Sequence, residues 1–103
     1  MDILIKSFNR PYFLDRCIQS IEKFITNTNY QITILDDGTP PKYLKRIKDK
    51  YPNVIILKSS MYDEKVKSIE NEQNVSSKIP IDLWIYAAKN ASDYFLLLED
   101  DIW

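Results

Sequence analysis

Eight residues near the carboxyl end, Tyr94 to Asp101, read Tyr-Phe-Leu-Leu-Leu-Glu-Asp-Asp. Consecutive carboxylates suit Mg²⁺ or Mn²⁺, hard cations that prefer oxygen ligands. If residues 99–101 stay extended, Glu99 and Asp101 point to one face and Asp100 to the other. Two carboxylates at one spot repel each other unless a cation or a proton lies between them. Two more polar clusters carry complementary chemistry. In Ser7-Phe8-Asn9-Arg10, Phe8 offers a ring face for stacking and Arg10 a fork of donors for phosphate. In Asp36-Asp37, either acid can accept a hydrogen bond from a base N–H. Such an acid selects among bases, because leaving it buried and unpaired is costly. A metal bridging a pyrophosphate stabilises negative charge on a departing nucleoside diphosphate.

The elements that must position these clusters follow from apolar spacing. Ile3 to Ile5, Gln31 to Leu35, Val54 to Leu57 and the run from Tyr94 are short apolar stretches read as strands. The unbroken last run reads as a strand buried on both faces. Phe13, Leu14, Cys17, Ile18, Ile21, Phe24 and Ile25 recur at helical spacing after Pro11, and Asn9 is a plausible cap. Pro41 to about Lys50 repeats the pattern with Tyr43, Leu44 and Ile47 inward, and Ile79 to Ala91 resumes it through Leu83, Trp84, Ala87 and Ala88. Residues 59–78 are polar, with room for a helical turn or two at Val66 and Ile69, and read otherwise as a surface loop or insertion. Alternating strands and helices predict an α/β fold with a parallel four-stranded sheet flanked by helices. Ser7 to Arg10, Asp36-Asp37 and Glu99 to Asp101 then share the sheet's carboxyl edge, where open α/β sheets bind ligands.

Composition narrows the chemistry. One hundred and three residues with 45% apolar and 28% charged content fit one folded domain. A net charge of −1 gives no basic face for nucleic acid. With no histidine, the chain holds neither a His-built zinc site nor a Ser-His-Asp triad. Gly38 is the only glycine, so no Gly-rich phosphate loop exists and nucleotide phosphates must be held by metal and side chains. Cys17 lies on the apolar face of its helix and reads as core. With a single thiol, no basic leader and no long apolar span, the expected location is cytoplasmic.

Ser7-Phe8-Asn9-Arg10-Pro11 before a helix, Ile34-Leu35-Asp36-Asp37-Gly38-Thr39 after a strand, and Leu98-Glu99-Asp100-Asp101 follow one another in this order. Together they resemble the nucleotide-sugar-binding half of family 2-type glycosyltransferases, a Rossmann-like half of the GT-A fold. The resemblance implies a UDP- or GDP-linked sugar as donor and Mn²⁺ or Mg²⁺ as cofactor, and of the two stereochemical outcomes it favours inversion over retention. It implies that Phe8 lies near the base, that Asp37 binds it with Asp36 alongside, and that Asp100 or Glu99 lies near ribose or phosphate. Asp101 becomes the metal ligand, and Glu99 replaces the first acid of the family's Asp-x-Asp motif. The helix before the last strand lacks the glycines and basic residues common there; Ala88-Lys89-Asn90 keeps part of that pattern. The family's acceptor site and catalytic base follow the metal motif. The expectation is therefore a donor-binding fragment of a longer enzyme, inactive alone and able to self-associate through the missing half's surface. The alternative is a module that binds nucleotide or nucleotide sugar without chemistry. A receiver-type signalling domain wants an acidic pair after its first strand, where this chain has Ser7-Phe8-Asn9-Arg10.

Overall fold

The structure is a computed structural model that describes residues 1–101. Its elements run β1 (Asp2–Ser7), α1 (Pro11–Phe24), β2 (Gln31–Asp36), α2 (Pro41–Lys50), β3 (Ile55–Lys58), α3 (Tyr62–Glu70), α4 (Ile81–Lys89) and β4 (Phe95–Glu99). The strands form one parallel sheet in the order β3-β2-β1-β4. The predicted α/β architecture holds.

Alternation along β1 divides the core. Ile3 and Ile5 face one side and join Leu14, Cys17, Ile18 and Ile21 of α1, Ile32 and Ile34 of β2, and Ile47 of α2. Leu4 faces the other side with Leu35, beneath Leu83, Trp84 and Ala87 of α4. The buried positions of α1 recur every three or four residues, and Pro11 opens the helix where its missing N–H costs nothing. Cys17 is fully buried, as its spacing implied, and burial pushes its thiol up to about 11.

Two expectations change. The last apolar run is not buried on both faces. Tyr94 is 82% exposed, Phe95, Leu96 and Leu97 are 39–48% exposed, and only Leu98 packs on the core. β4 borders β1 and has no second neighbour among the described residues, and α4 reaches over Leu4 and Leu35 rather than over β4. Hydrophobicity along the chain cannot tell an edge strand from a central one.

Residues 59–78 are not all loop, since α3 is a helix of nine residues. Its stripe is Tyr62 and Val66 packed on Leu44 of α2, with Ile56 of β3 behind them. The third buried position on that face is Lys65. A charged residue there breaks the apolar pattern, which is why the helix reads as polar chain.

Candidate functional site

At the sheet's carboxyl edge the loops after β1, β2 and β3 are tied together by buried hydrogen bonds. Asp36 Oδ2 accepts from the Gly38 and Thr39 amides at 3.1 and 2.7 Å. Thr39 Oγ1 donates to Asp36 Oδ1 at 2.6 Å and accepts the Asn9 N–H at 3.0 Å. That places Asn9 at φ +48°, a left-handed conformation that asparagine tolerates. The Asp37 N–H reaches the Ser7 carbonyl at 2.9 Å, the Ser59 N–H reaches the Asp36 carbonyl at 2.9 Å, and the Tyr62 hydroxyl donates to the Thr39 carbonyl at 2.6 Å. Asp36 is fully buried, and desolvation raises its pKa despite these donors. Its contribution is to build the turn that presents Asp37.

Asp37 accepts from Ser59 Oγ at 2.7 Å and pairs with Lys65, which is 3% exposed and also donates to the Lys78 carbonyl at 2.6 Å. An ionised carboxylate offers about four lone-pair sites, so Asp37 keeps capacity for a further donor. The Lys65 ammonium stands 5.6 Å from the centre of the Phe8 ring. The ring lies against Gly38: a Cβ there would come within 2.7 Å of Phe8 Cε1 and 3.1 Å of Lys65 Cβ. Gly38 is thus required for close approach, its φ being ordinary. Gly38→Ala should displace the Phe8 ring and destabilise the fold by about 1–3 kcal/mol, the usual range for overpacking. Urea unfolding checks the stability, and an unshifted Phe8 ring resonance in NMR would contradict the displacement.

The terminal acids do not spread as an extended strand would spread them. β4 ends at Glu99, and Asp100 and Asp101 turn. Glu99 lies on the α4 side, where its Oε1 meets Lys6 Nζ at 2.7 Å. Asp100 is fully buried, with Oδ1 2.5 Å from Arg10 Nη2; Asp101 is half-exposed, with Oδ2 3.9 Å from Arg10 Nη1. Burial pushes the Asp100 carboxyl up to about 6 against the opposing pull of Arg10. So Asp101 shares Arg10 with Asp100, while Glu99 pairs with Lys6. Among the described residues no three acids, thiols or imidazoles converge as a ready metal cage. Mg²⁺ does not need one, since it binds through one or two carboxylates plus phosphates and water. Asp101 fits that requirement, while Glu99 fits once released from Lys6.

A cleft of about 110 Å³ lies at this edge, lined by Lys6, Ser7, Phe8, Arg10, Leu35, Asp37, Pro80, Trp84 and Glu99. It gathers Ser7, Phe8, Arg10, Asp37 and Glu99 from the anticipated residues, whereas Asn9, Asp36, Asp100 and Asp101 frame it from outside its lining. Lys6, Ser59, Lys65 and Trp84 were not anticipated. Lys6 had a signal, being the charged residue that ends the Ile3–Ile5 run beside the first cluster. Lys65 had another, being three residues from Tyr62 and next to Val66 on the stripe of α3.

A four-stranded parallel sheet with four helices is an α/β fold that matches the amino-terminal half of a GT-A glycosyltransferase. Residues 2–103 match glycosyl transferase family 2, and the chain belongs to that family. Among solved structures it is similar to an active-site mutant of LgtC, with a TM-score of 0.60 and 17% identity. That likeness, which concerns the fold, covers 98% of this chain and 38% of the LgtC chain. No curated protein matches the chain. Among the described residues, no helix is long and apolar enough to cross a membrane.

Proposed function

We propose that this chain forms the donor-binding part of a glycosyltransferase and holds a nucleoside-diphosphate sugar across the cleft. The observation that carries the reading is that Phe8, Asp37 and Arg10 line one cleft at the sheet's carboxyl edge, with Asp37 buried against Lys65 and Arg10 paired with Asp100. Phe8 stacks on the base and Asp37 accepts its N–H, held in place by Ser59 and Lys65. Arg10, 44% exposed on its side chain, offers its remaining donors to phosphate. Asp100 aims the guanidinium. Asp101, with Glu99, would hold Mn²⁺ or Mg²⁺, which when bound neutralises charge on the leaving diphosphate.

Calorimetry with uridine and guanosine diphosphates, with and without Mn²⁺, tests the reading. Phe8→Ala should weaken binding by about 1–3 kcal/mol, the cost of losing one stacked base. Asp101→Ala should remove the gain that Mn²⁺ confers and leave metal-free binding in place. Failure of both nucleotides to bind under any condition would reject the proposal.

A further inference from the structure

The nucleotide reading leaves one cation in the cleft unused. Lys6 sits near the carboxyl end of β1, an inner strand of the sheet. Its register partner on β4 is Glu99, so both side chains lie on the α4 face. There Lys6 Nζ meets Glu99 Oε1 at 2.7 Å and stands 4.4 Å from the centre of the Trp84 ring. Side-chain exposure is 22% for Lys6 and 51% for Glu99, so the lysine is the sheltered partner and the glutamate the wet one. Arg10, the cleft's other cation, is already held by Asp100.

These facts make the Lys6 pair exchangeable. An ion pair with one wet partner is worth about 0–1 kcal/mol, so another anion can displace Glu99 at little cost. The Trp84 ring favours the ammonium whichever anion faces it. Phosphate oxygens make shorter and stronger charge-assisted bonds than neutral groups do.

We propose that Lys6 is a further ligand for the donor's diphosphate, taking a phosphate oxygen in exchange for Glu99 and so freeing Glu99 for the divalent cation. The proposal rests on the nucleotide reading above. It makes anion and cation binding mutually reinforcing, since each removes a competitor of the other. Such coupling is reciprocal: the factor by which diphosphate tightens the metal is the factor by which metal tightens the diphosphate.

The test is calorimetry on the whole chain with uridine diphosphate and Mn²⁺, each alone and together, guanosine diphosphate replacing the uridine form if that is the one that binds. Lys6→Met should weaken metal-free nucleotide binding about 5–20-fold, the loss of one charge-assisted contact. It should also tighten Mn²⁺ binding measured alone and reduce the coupling between the two ligands. Glu99→Gln should do the opposite to the anion, tightening metal-free nucleotide binding about 3–5-fold, the upper worth of an exposed pair. If circular dichroism shows Lys6→Met unfolded, Glu99→Gln decides the matter. Unchanged metal-free affinity in the folded variants overturns the proposal and leaves the nucleotide reading standing. Absence of nucleotide binding by the unmodified chain overturns both.

Discussion

Lys65→Ala is expected to lower the unfolding free energy by about 3–5 kcal/mol, the usual cost of removing one partner from a buried ion pair. Lys65 is 3% exposed and Asp37 is 8% exposed, so the pair is a buried one. Asp37 would keep only Ser59 Oγ, and the Lys78 carbonyl would lose its donor as well. The damage should spread to the site, because the Lys65 stem lies beside Gly38 and its ammonium stands over Phe8. Urea unfolding with linear extrapolation gives the number. Lys65→Met combined with Asp37→Asn should recover most of the loss, since no uncompensated charge then remains. A single variant within about 1 kcal/mol of the original would mean that the pair is open to solvent, outside the range for buried pairs.

Arg10→Met should cost about 2–4 kcal/mol at pH 7.5, toward the lower end of the range for breaking a buried pair because Asp100 can protonate instead. The sign with pH follows from burial. The Asp100 carboxyl stands at about 6 in the fold against an ordinary value of 3.8. Between those values the folded chain keeps a proton that the unfolded chain releases, so stability falls as pH rises from about 4 to about 6. Above that window the contribution is constant, and below it both states are protonated. Desolvating the ionised form costs the unmodified protein about 1–3 kcal/mol at neutral pH, from roughly 1.4 kcal/mol per unit and some solvent screening. Without Arg10 the carboxyl should rise further, so the penalty of the variant should shrink on acidification to pH 5. Adding Asp100→Asn should remove the pH dependence. Denaturant midpoints across pH 4–8 check this, and a penalty that stays flat with pH would place Asp100 in water.

Much of this architecture was legible in the chain. Ile3 to Ile5, Gln31 to Leu35 and Pro41 to Lys50 each carry a period that matches one element, and the elements alternate. A parallel sheet then sends Ser7, Asp36 and Glu99 to the same edge, and register confirms it: Ser7 aligns with Asp36, and Lys6 with Glu99. What spacing could not supply was who pairs with whom. Asp37 meets Lys65 28 residues away because α3 folds back over the turn. Asp36 and Asp37 look interchangeable in sequence, yet the backbone turn claims the first and leaves the second facing the cleft. Similarly, Glu99, Asp100 and Asp101 formed one motif on paper. Ending the strand at Glu99 divides them between two cations, Lys6 for Glu99 and Arg10 for Asp100 and Asp101.

The strand order also sets a sequence of events in time. β1 pairs with β2 within the first 36 residues, but its other edge pairs with β4, at residues 95–99. Closing a contact over so much chain is slow, because loop entropy is lost before the contact rewards it. During synthesis, residues 2–36 can pair as soon as they emerge, while the second hydrogen-bonding edge of β1 waits for almost everything described here. Arg10 waits with it, since Asp100 arrives one residue after β4 ends. The Phe8 and Asp37 side of the cleft can therefore be assembled before the Arg10 side, which needs the later Asp100.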